Sequence, residues 1–264
     1  MAAWPCRRRS SATINDRKPN LLGNPPPMTV NKELEPTRNI LRTDRFVEEA
    51  VDLIVSQAEV SVRARDEFRL SLCGGSTPGG VYRRLAKVED FPWDKTVITF
   101  GDERCVGPDH ERSNYRMAQE ALLSHVPIPP SQVLRMEGER GADDAAQRYE
   151  DALRKRARES GDPIFAHDLL LLGMGDDGHT ASLFPETKAL EETKRWIVGN
   201  YVPKFDEHRI TFTFPLLNAA RQICFLVTGE NKRPIYETIF AGQGDYPSAL
   251  VRPTSGKQTW VIGE

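Results

Sequence analysis

Apolar positions recur with two alternating periods along most of the chain. Phe46, Val47, Ala50, Val51, Leu53, Ile54 and Ala58 follow the i, i+4, i+7, i+8 spacing of one helical face, and Thr43 or Asp44 stands where a cap is needed. Phe68 to Cys73 reads as a strand that runs into Gly74-Gly75-Ser76-Thr77-Pro78-Gly79-Gly80, and a helix is predicted through Val81, Tyr82 and Leu85. A strand over Thr96 to Phe100 ends at Gly101-Asp102-Glu103-Arg104, and a helix over Asn114 to Ser124 follows. Val133 to Met136 reads as a short strand. Asp143 to Arg158 reads as a charged helix, with Asp144/Arg148, Glu150/Arg154 and Asp151/Lys155 spaced i, i+4 along a solvated face. Asp168 to Leu172 is apolar on both faces and opens into Gly173-Met174-Gly175-Asp176-Asp177-Gly178-His179. Further strands are predicted at Trp196–Val202, Arg209–Phe214, Gln222–Val227 and Thr259–Ile262, with a helix over Lys232–Phe240.

Strand–loop–helix repeated this often predicts an α/β fold: an open, mainly parallel sheet with helices on both faces. Ligands of such sheets bind beyond the carboxyl ends of the strands, and three polar segments fall at those ends. Residues 28–264 are expected to form a single α/β catalytic domain, with no linker-like break or internal repeat from residue 40 on. Residues 1–27 differ. They hold five Lys/Arg against one acid and five of the 19 prolines, without helical or strand period. Such a leader is expected to be disordered and functionally silent. Its Arg- and Ser-rich start also imitates a transit peptide, and Met28 offers an alternative start of translation.

Composition narrows the class. The 264 residues are 39% apolar and 28% charged with net charge −2, an ordinary globular balance without the basic excess of a nucleic-acid binder. No apolar run approaches the roughly 20 residues of a membrane span. The four cysteines (Cys6, Cys73, Cys105, Cys224) form no CxxC pair, which suggests neither disulfides nor zinc and suits a reducing, cytoplasmic setting. Cys73 and Cys105 are expected to be small buried residues rather than nucleophiles.

The turn Gly74, Gly75, Ser76, Thr77 follows a strand and opens a helix, where free N–H groups and hydroxyls can hold a phosphate. A purely structural turn is the alternative. It is neither a Walker motif, for lack of a following Lys-Ser/Thr, nor a GxSxG elbow, because Pro78 takes the last glycine position. Gly173-x-Gly175-x-x-Gly178 matches a dinucleotide fingerprint in form only: Asp176 and Asp177 would repel a pyrophosphate, and the next strand ends without a ribose-binding acid. His179 is the candidate general base, with Asp177 two residues away to fix its tautomer; a histidine at a helix start is the alternative. Arg104 is a candidate phosphate clamp, and Asp102 a partner for sugar hydroxyls or for the histidine, unless the segment is a surface ion cluster. Lys204 and Lys232 are further cation candidates. No second His or Cys lies at metal-ligand spacing.

These segments together resemble the 6-phosphogluconolactonase family: Cys73-Gly-Gly-Ser-Thr-Pro78, Gly101-Asp-Glu-Arg104 with Ser113-Asn-Tyr-Arg116, and Gly173-Met-Gly-Asp-Asp-Gly-His-Thr-Ala-Ser-Leu-Phe-Pro185. Pro203-Lys204, Arg209-Ile-Thr-Phe-Thr, Asn218-Ala-Ala-Arg221 and Thr228-Gly-Glu-Asn-Lys232 extend the likeness from about Thr43 to the C-terminus. The resemblance implies the fold of glucosamine-6-phosphate deaminase and ribose-5-phosphate isomerase. It implies cofactor-free, metal-free hydrolysis of 6-phosphoglucono-1,5-lactone in the oxidative pentose phosphate pathway. By position, His179 would be the base, Arg104, Lys204 and Gly74 to Thr77 would hold the phosphate, and Asp102 and Asp177 would line the site. The partner implied is a small sugar-phosphate lactone, with no nucleic acid or membrane, and the protein a monomer or small homo-oligomer. Deaminase relatives carry an acid just before the closing proline of this loop. Phe184 stands there here, which argues against deamination. The competing readings are an isomerase or deaminase on the same scaffold and a non-catalytic sugar-phosphate sensor. The oxyanion donors are expected to be backbone N–H groups.

Overall fold

Strands and helices are interleaved along residues 38–254 and 256–264, which this computed structural model describes. In order they are β1 (Arg38–Thr43), α1 (Phe46–Arg65), β2 (Phe68–Leu72), α2 (Pro78–Leu85), β3 (Thr96–Phe100), β4 (Asp102–Arg104), α3 (Asn114–Ala121) and α4 (Ala142–Glu159). There follow β5 (Leu169–Gly173), β6 (Ile197–Val202), β7 (Glu207–Phe212), the one-turn α5 (Phe214–Leu217), β8 (Gln222–Thr228), α6 (Arg233–Phe240) and β9 (Lys257–Gly263). The leader expected over residues 1–27 lies outside the described residues.

Six strands form one sheet in the order β1-β9-β8-β5-β2-β3, and every neighbouring pair is parallel. The central strand β5 shows why. Leu170 and Leu172 join a core with Tyr149 and Leu153 of α4 and Ile239 of α6. Leu169 and Leu171 point the other way, into a core with Ile54 of α1, Tyr82 of α2 and Ala118 of α3. A strand buried on both faces is favoured when it is largely apolar, and burying each leucine contributes about 1.5–3 kcal/mol. The mainly parallel sheet with helices on both faces is as expected. No described helix is long and apolar enough to cross a membrane.

The structure departs from the sequence reading in five places. The strands near 196–202 and 209–214 do not join the large sheet; β6 and β7 form an antiparallel hairpin, which β4 extends to a second sheet of order β4-β7-β6. Asp102–Arg104 is therefore a strand of its own, and the chain changes sheets at Gly101, whose N–H donates to Leu72 and whose carbonyl accepts from Phe212. Strand β1, an edge strand with an irregular polar pattern, was not foreseen. Val133–Met136 forms no strand, since only Val133 bridges to Ile98. Neither Thr43 nor Asp44 caps α1: Thr43 accepts from Arg45 N–H, and the residue at the cap position, Arg45, makes no side-chain cap. In α4, Asp144–Arg148 and Glu150–Arg154 pair as expected, but Asp151 accepts from Gln147 and Lys155 pairs with Glu159. Glu150 is buried and accepts from Ile197 N–H of β6, so this charge row is only partly solvated.

Because the six strands are parallel, their carboxyl ends share one edge. The turns after β2, β3, β5 and β8 open there together.

Candidate active site

Over that edge lies a cleft of about 270 Å³, lined by Cys73 to Pro78, Asp102, Arg104, Asn114, Gly173 to Gly175, His179, Ser182, Phe184, Phe205, Arg209 and Lys232, among others. The late loop with the imidazole and the early loop with the glycines thus border one cavity.

The loop after β5 carries His179. A Cβ on Gly175 would stand 2.1 Å from the imidazole, so only glycine lets the ring fold back over this turn. Asp177 Oδ1 lies 2.5 Å from His179 Nδ1 and also accepts the His179 backbone N–H at 3.1 Å. A carboxylate at Nδ1 selects the Nδ1–H tautomer and leaves the Nε2 lone pair free. Nε2 has no protein partner among the described residues, on a ring that lines the cleft. Lys204 Nζ donates to Asp177 Oδ2 at 2.9 Å and to Asp176 Oδ1 at 3.0 Å. Burial pushes the Asp177 carboxyl up, but the hydrogen bonds from His179 and Lys204 outweigh it and hold it well below the usual carboxylate range. Asp177 and Lys204 do not line the cleft. The ring of Phe184 stacks on the imidazole with centroids 3.8 Å apart and planes 21° apart, fixing its tilt.

Alternation along β4 sorts its three polar residues. Glu103 turns away and receives the N–H groups of Asn114 and Tyr115 at the start of α3, a favourable end for a carboxylate. Asp102 and Arg104 turn into the cleft. Asp102 accepts from Asn114 Nδ2 at 3.1 Å and from Ser182 Oγ at 2.7 Å. Its hydrogen bonds thus go to α3 and to the loop beyond His179, and none goes to the imidazole, contrary to one of the two roles expected for it. Asn114 in turn packs on Gly74, where a Cβ would meet Asn114 Oδ1 at 1.9 Å.

Beyond Gly74, the residues Gly75 and Ser76 are exposed at the tip of the turn. No backbone N–H from Gly74 to Thr77 donates to another described residue. Pro78 occupies the first turn of α2, and Thr77 Oγ1 lies 3.0 Å from Thr228 Oγ1 at the end of β8. Just past β8, Lys232 reaches the cleft half-buried, and no described carboxylate lies within ion-pair distance of it. Burial lowers its pKa, as for an ammonium awaiting a counter-charge. Across the cavity stand Arg104 and Arg209, the latter buried and missed in the sequence. The signals were its place in the Arg209-Ile-Thr-Phe-Thr segment of the family likeness and its position on a strand. Burial pushes the Cys73 thiol up to about 12, which keeps it protonated and inert at neutral pH.

The family described as “Glucosamine-6-phosphate isomerases/6-phosphogluconolactonase” matches residues 42–260. The chain belongs to this family. Among its curated relatives, a 6-phosphogluconolactonase of Nostoc sp. is 39% identical over 222 residues, covering 82% of this chain and 90% of that one. The human 6-phosphogluconolactonase is 38% identical over 208 residues, 76% of this chain and 80% of its own. A crystal structure of 6-phosphogluconolactonase from Thermotoga maritima superposes with a TM-score of 0.76 at 28% identity, over 86% of this chain and 100% of that chain. One from Trypanosoma brucei gives 0.73 at 28%, over 87% and 96%. Phe184, where the resemblance led a deaminase-like alternative to expect an acid, is here the stacking partner of the imidazole.

Proposed function

We propose that the protein hydrolyses 6-phospho-D-glucono-1,5-lactone to 6-phosphogluconate, a step of the oxidative pentose phosphate pathway, in the cytoplasm. The observation that carries the reading is His179, tied at Nδ1 to Asp177 and open at Nε2, on the same cleft as the Gly74–Thr77 turn and Lys232. The free N–H groups of the turn, the Ser76 and Thr77 hydroxyls and the Lys232 ammonium hold the phosphate. Neutral His179 takes a proton from water as the water oxygen bonds to the lactone carbonyl carbon. The tetrahedral intermediate collapses with cleavage of the bond between that carbon and the ring oxygen, and the imidazolium returns the proton to the ring oxygen. Asp177 stabilises the imidazolium between the two steps. One general acid/base contributes about 10²–10⁴-fold, and orientation through the phosphate adds to it. Asp102, fixed by Asn114 and Ser182, is placed to receive sugar hydroxyls. The relatives named 6-phosphogluconolactonase support the activity.

The test is a stopped assay on freshly generated phosphogluconolactone, corrected for spontaneous hydrolysis. His179→Ala is expected to fold as the parent does and to lose about 10²–10⁴-fold in kcat. Near-normal turnover by that variant would refute the base assignment, and ammonia release from glucosamine 6-phosphate would replace the reading with deamination.

A further inference from the structure

Arg104 and Arg209 are Cα partners across β4 and β7, and both line the cleft. The Arg209 side chain is only 10% exposed. Like charges directly opposite one another on neighbouring strands repel, and a buried donor without a partner is destabilising. Nevertheless the Nε of each guanidinium is buried without a hydrogen-bond partner among the described residues. The described carboxylates on these two strands are already engaged, Asp102 by Asn114 and Ser182 and Glu103 by the start of α3. Glu207 pairs with Arg209 and also receives Arg112 Nη1 at 2.6 Å, while Arg104 Nη1 donates, among the described residues, only to the Arg112 carbonyl. The arrangement calls for a second anion from the cleft side.

The phosphate already has a receptor on the edge of the large sheet, at the turn after β2 and at Lys232 after β8. The arginine pair sits on the small sheet, on the side of the imidazole. The Arg209 guanidinium lies 5.5 Å over the Phe205 ring, Phe205 meets Phe184 edge-on at 5.6 Å, and Phe184 stacks on His179. Resting on the lactonase reading, we propose that Arg209, together with Arg104, receives the negative charge that forms at C1 of the substrate. When water adds to C1, the carbonyl π pair moves onto the carbonyl oxygen. That pair re-forms the double bond as the bond from C1 to the ring oxygen breaks, and the new carboxylic acid then loses its proton to solvent. Charge therefore appears on the same oxygens twice, first as alkoxide and then as product carboxylate, and one guanidinium fork serves both. Arg104 thereby serves C1 rather than the phosphate. The cleft becomes a receptor for two anions, only one of which the substrate brings.

Arg209→Met and Arg209→Lys, beside Lys232→Met, separate the two ends. Calorimetric titration with inorganic phosphate and with 6-phosphogluconate reads binding, and steady-state rates are taken on phosphogluconolactone and on unphosphorylated D-glucono-1,5-lactone. Arg209→Met is expected to leave phosphate binding unchanged and to weaken 6-phosphogluconate at least about tenfold. It should lower kcat on both lactones by about 10²–10³-fold, as loss of an oxyanion donor does. Lys232→Met is expected to affect only the phosphorylated ligands. If Arg209→Met instead weakens inorganic phosphate and raises KM for the phosphorylated lactone alone, the residue belongs to the phosphate receptor and the proposal falls. It falls equally if product affinity and kcat are unchanged. Should Arg209→Met melt below assay temperature, Arg209→Lys, which keeps the charge and loses the fork, carries the same comparison. A parent enzyme inactive on both lactones would sink the lactonase reading, while the two titrations would still report on Arg209.

Discussion

At Lys204 the ammonium donates to Asp176 and Asp177 together, and Asp177 in turn holds the imidazole. A lysine so engaged acts on the base through a carboxylate. Lys204→Met is therefore expected to lower kcat by a similar factor on phosphorylated and unphosphorylated lactone, with little change in KM. A loss confined to the phosphorylated substrate would restore the phosphate role suggested by position alone. Asp177 also makes a prediction about pH. Its folded pKa lies below the unfolded value of about 3.9, so its contribution to stability is complete above that value and is lost as pH falls through the folded one. The melting-temperature difference between parent and Asp177→Asn should thus persist from pH 7 to pH 5 and shrink only below pH 4. A difference that disappears between pH 7 and pH 5 would mean that the carboxylate is not held down. His179 and Asp177 were legible as neighbouring candidates because a single residue, Gly178, separates them in one loop; that they bond was not. The bond from Lys204 to Asp177 was not legible because it spans 27 residues of chain, from the turn between β6 and β7 to the loop after β5.

Elements decide where these side chains can stand. The loop after β5 reverses tightly enough that the His179 carbonyl accepts Gly175 N–H at 2.9 Å, which brings the imidazole onto the Gly175 Cα. Gly175→Ala must displace the ring from Asp177 and Phe184. It is expected to cost at least about tenfold in kcat while lowering stability by only about 1–3 kcal/mol, the range for overpacking. Gly107→Ala, away from the cleft lining and with nothing within 4 Å of the added Cβ, is the control and should stay near parent activity. Equal activities of the two variants would show that the ring position is not set by this turn. The same scale explains what the amino-acid pattern withheld. Period-two alternation identified β6 and β7 as strands but carries no information on partners, so the second sheet was invisible. Arg104 could be seen as a candidate, but its placement opposite Arg209 depends on a register between segments about a hundred residues apart. The parallel sheet was legible because β5 is apolar on both faces, which only a doubly covered strand tolerates.

On the scale of the whole molecule, charge is distributed against the average. The chain carries net charge −2, yet the cleft lining holds Arg104, Arg209 and Lys232 against the single carboxylate of Asp102. A concave positive region on a mildly acidic protein focuses its field at the opening and attracts a dianionic substrate from solution. Part of kcat/KM should then be electrostatic and screened by salt. The Debye length falls from about 30 Å at 0.01 M to about 8 Å at 0.15 M, shorter than the approach over which steering acts. Over that range kcat/KM for phosphogluconolactone is expected to fall several-fold, whereas that for the uncharged D-glucono-1,5-lactone should stay within about a factor of two. Lys232→Met should flatten the first dependence without altering the second, because it removes charge from the phosphate end alone. Identical salt profiles for the two substrates would mean that the cleft exerts no net attraction, the carboxylates of Asp102 in the lining and of Glu207 behind Arg209 being enough to cancel its cations.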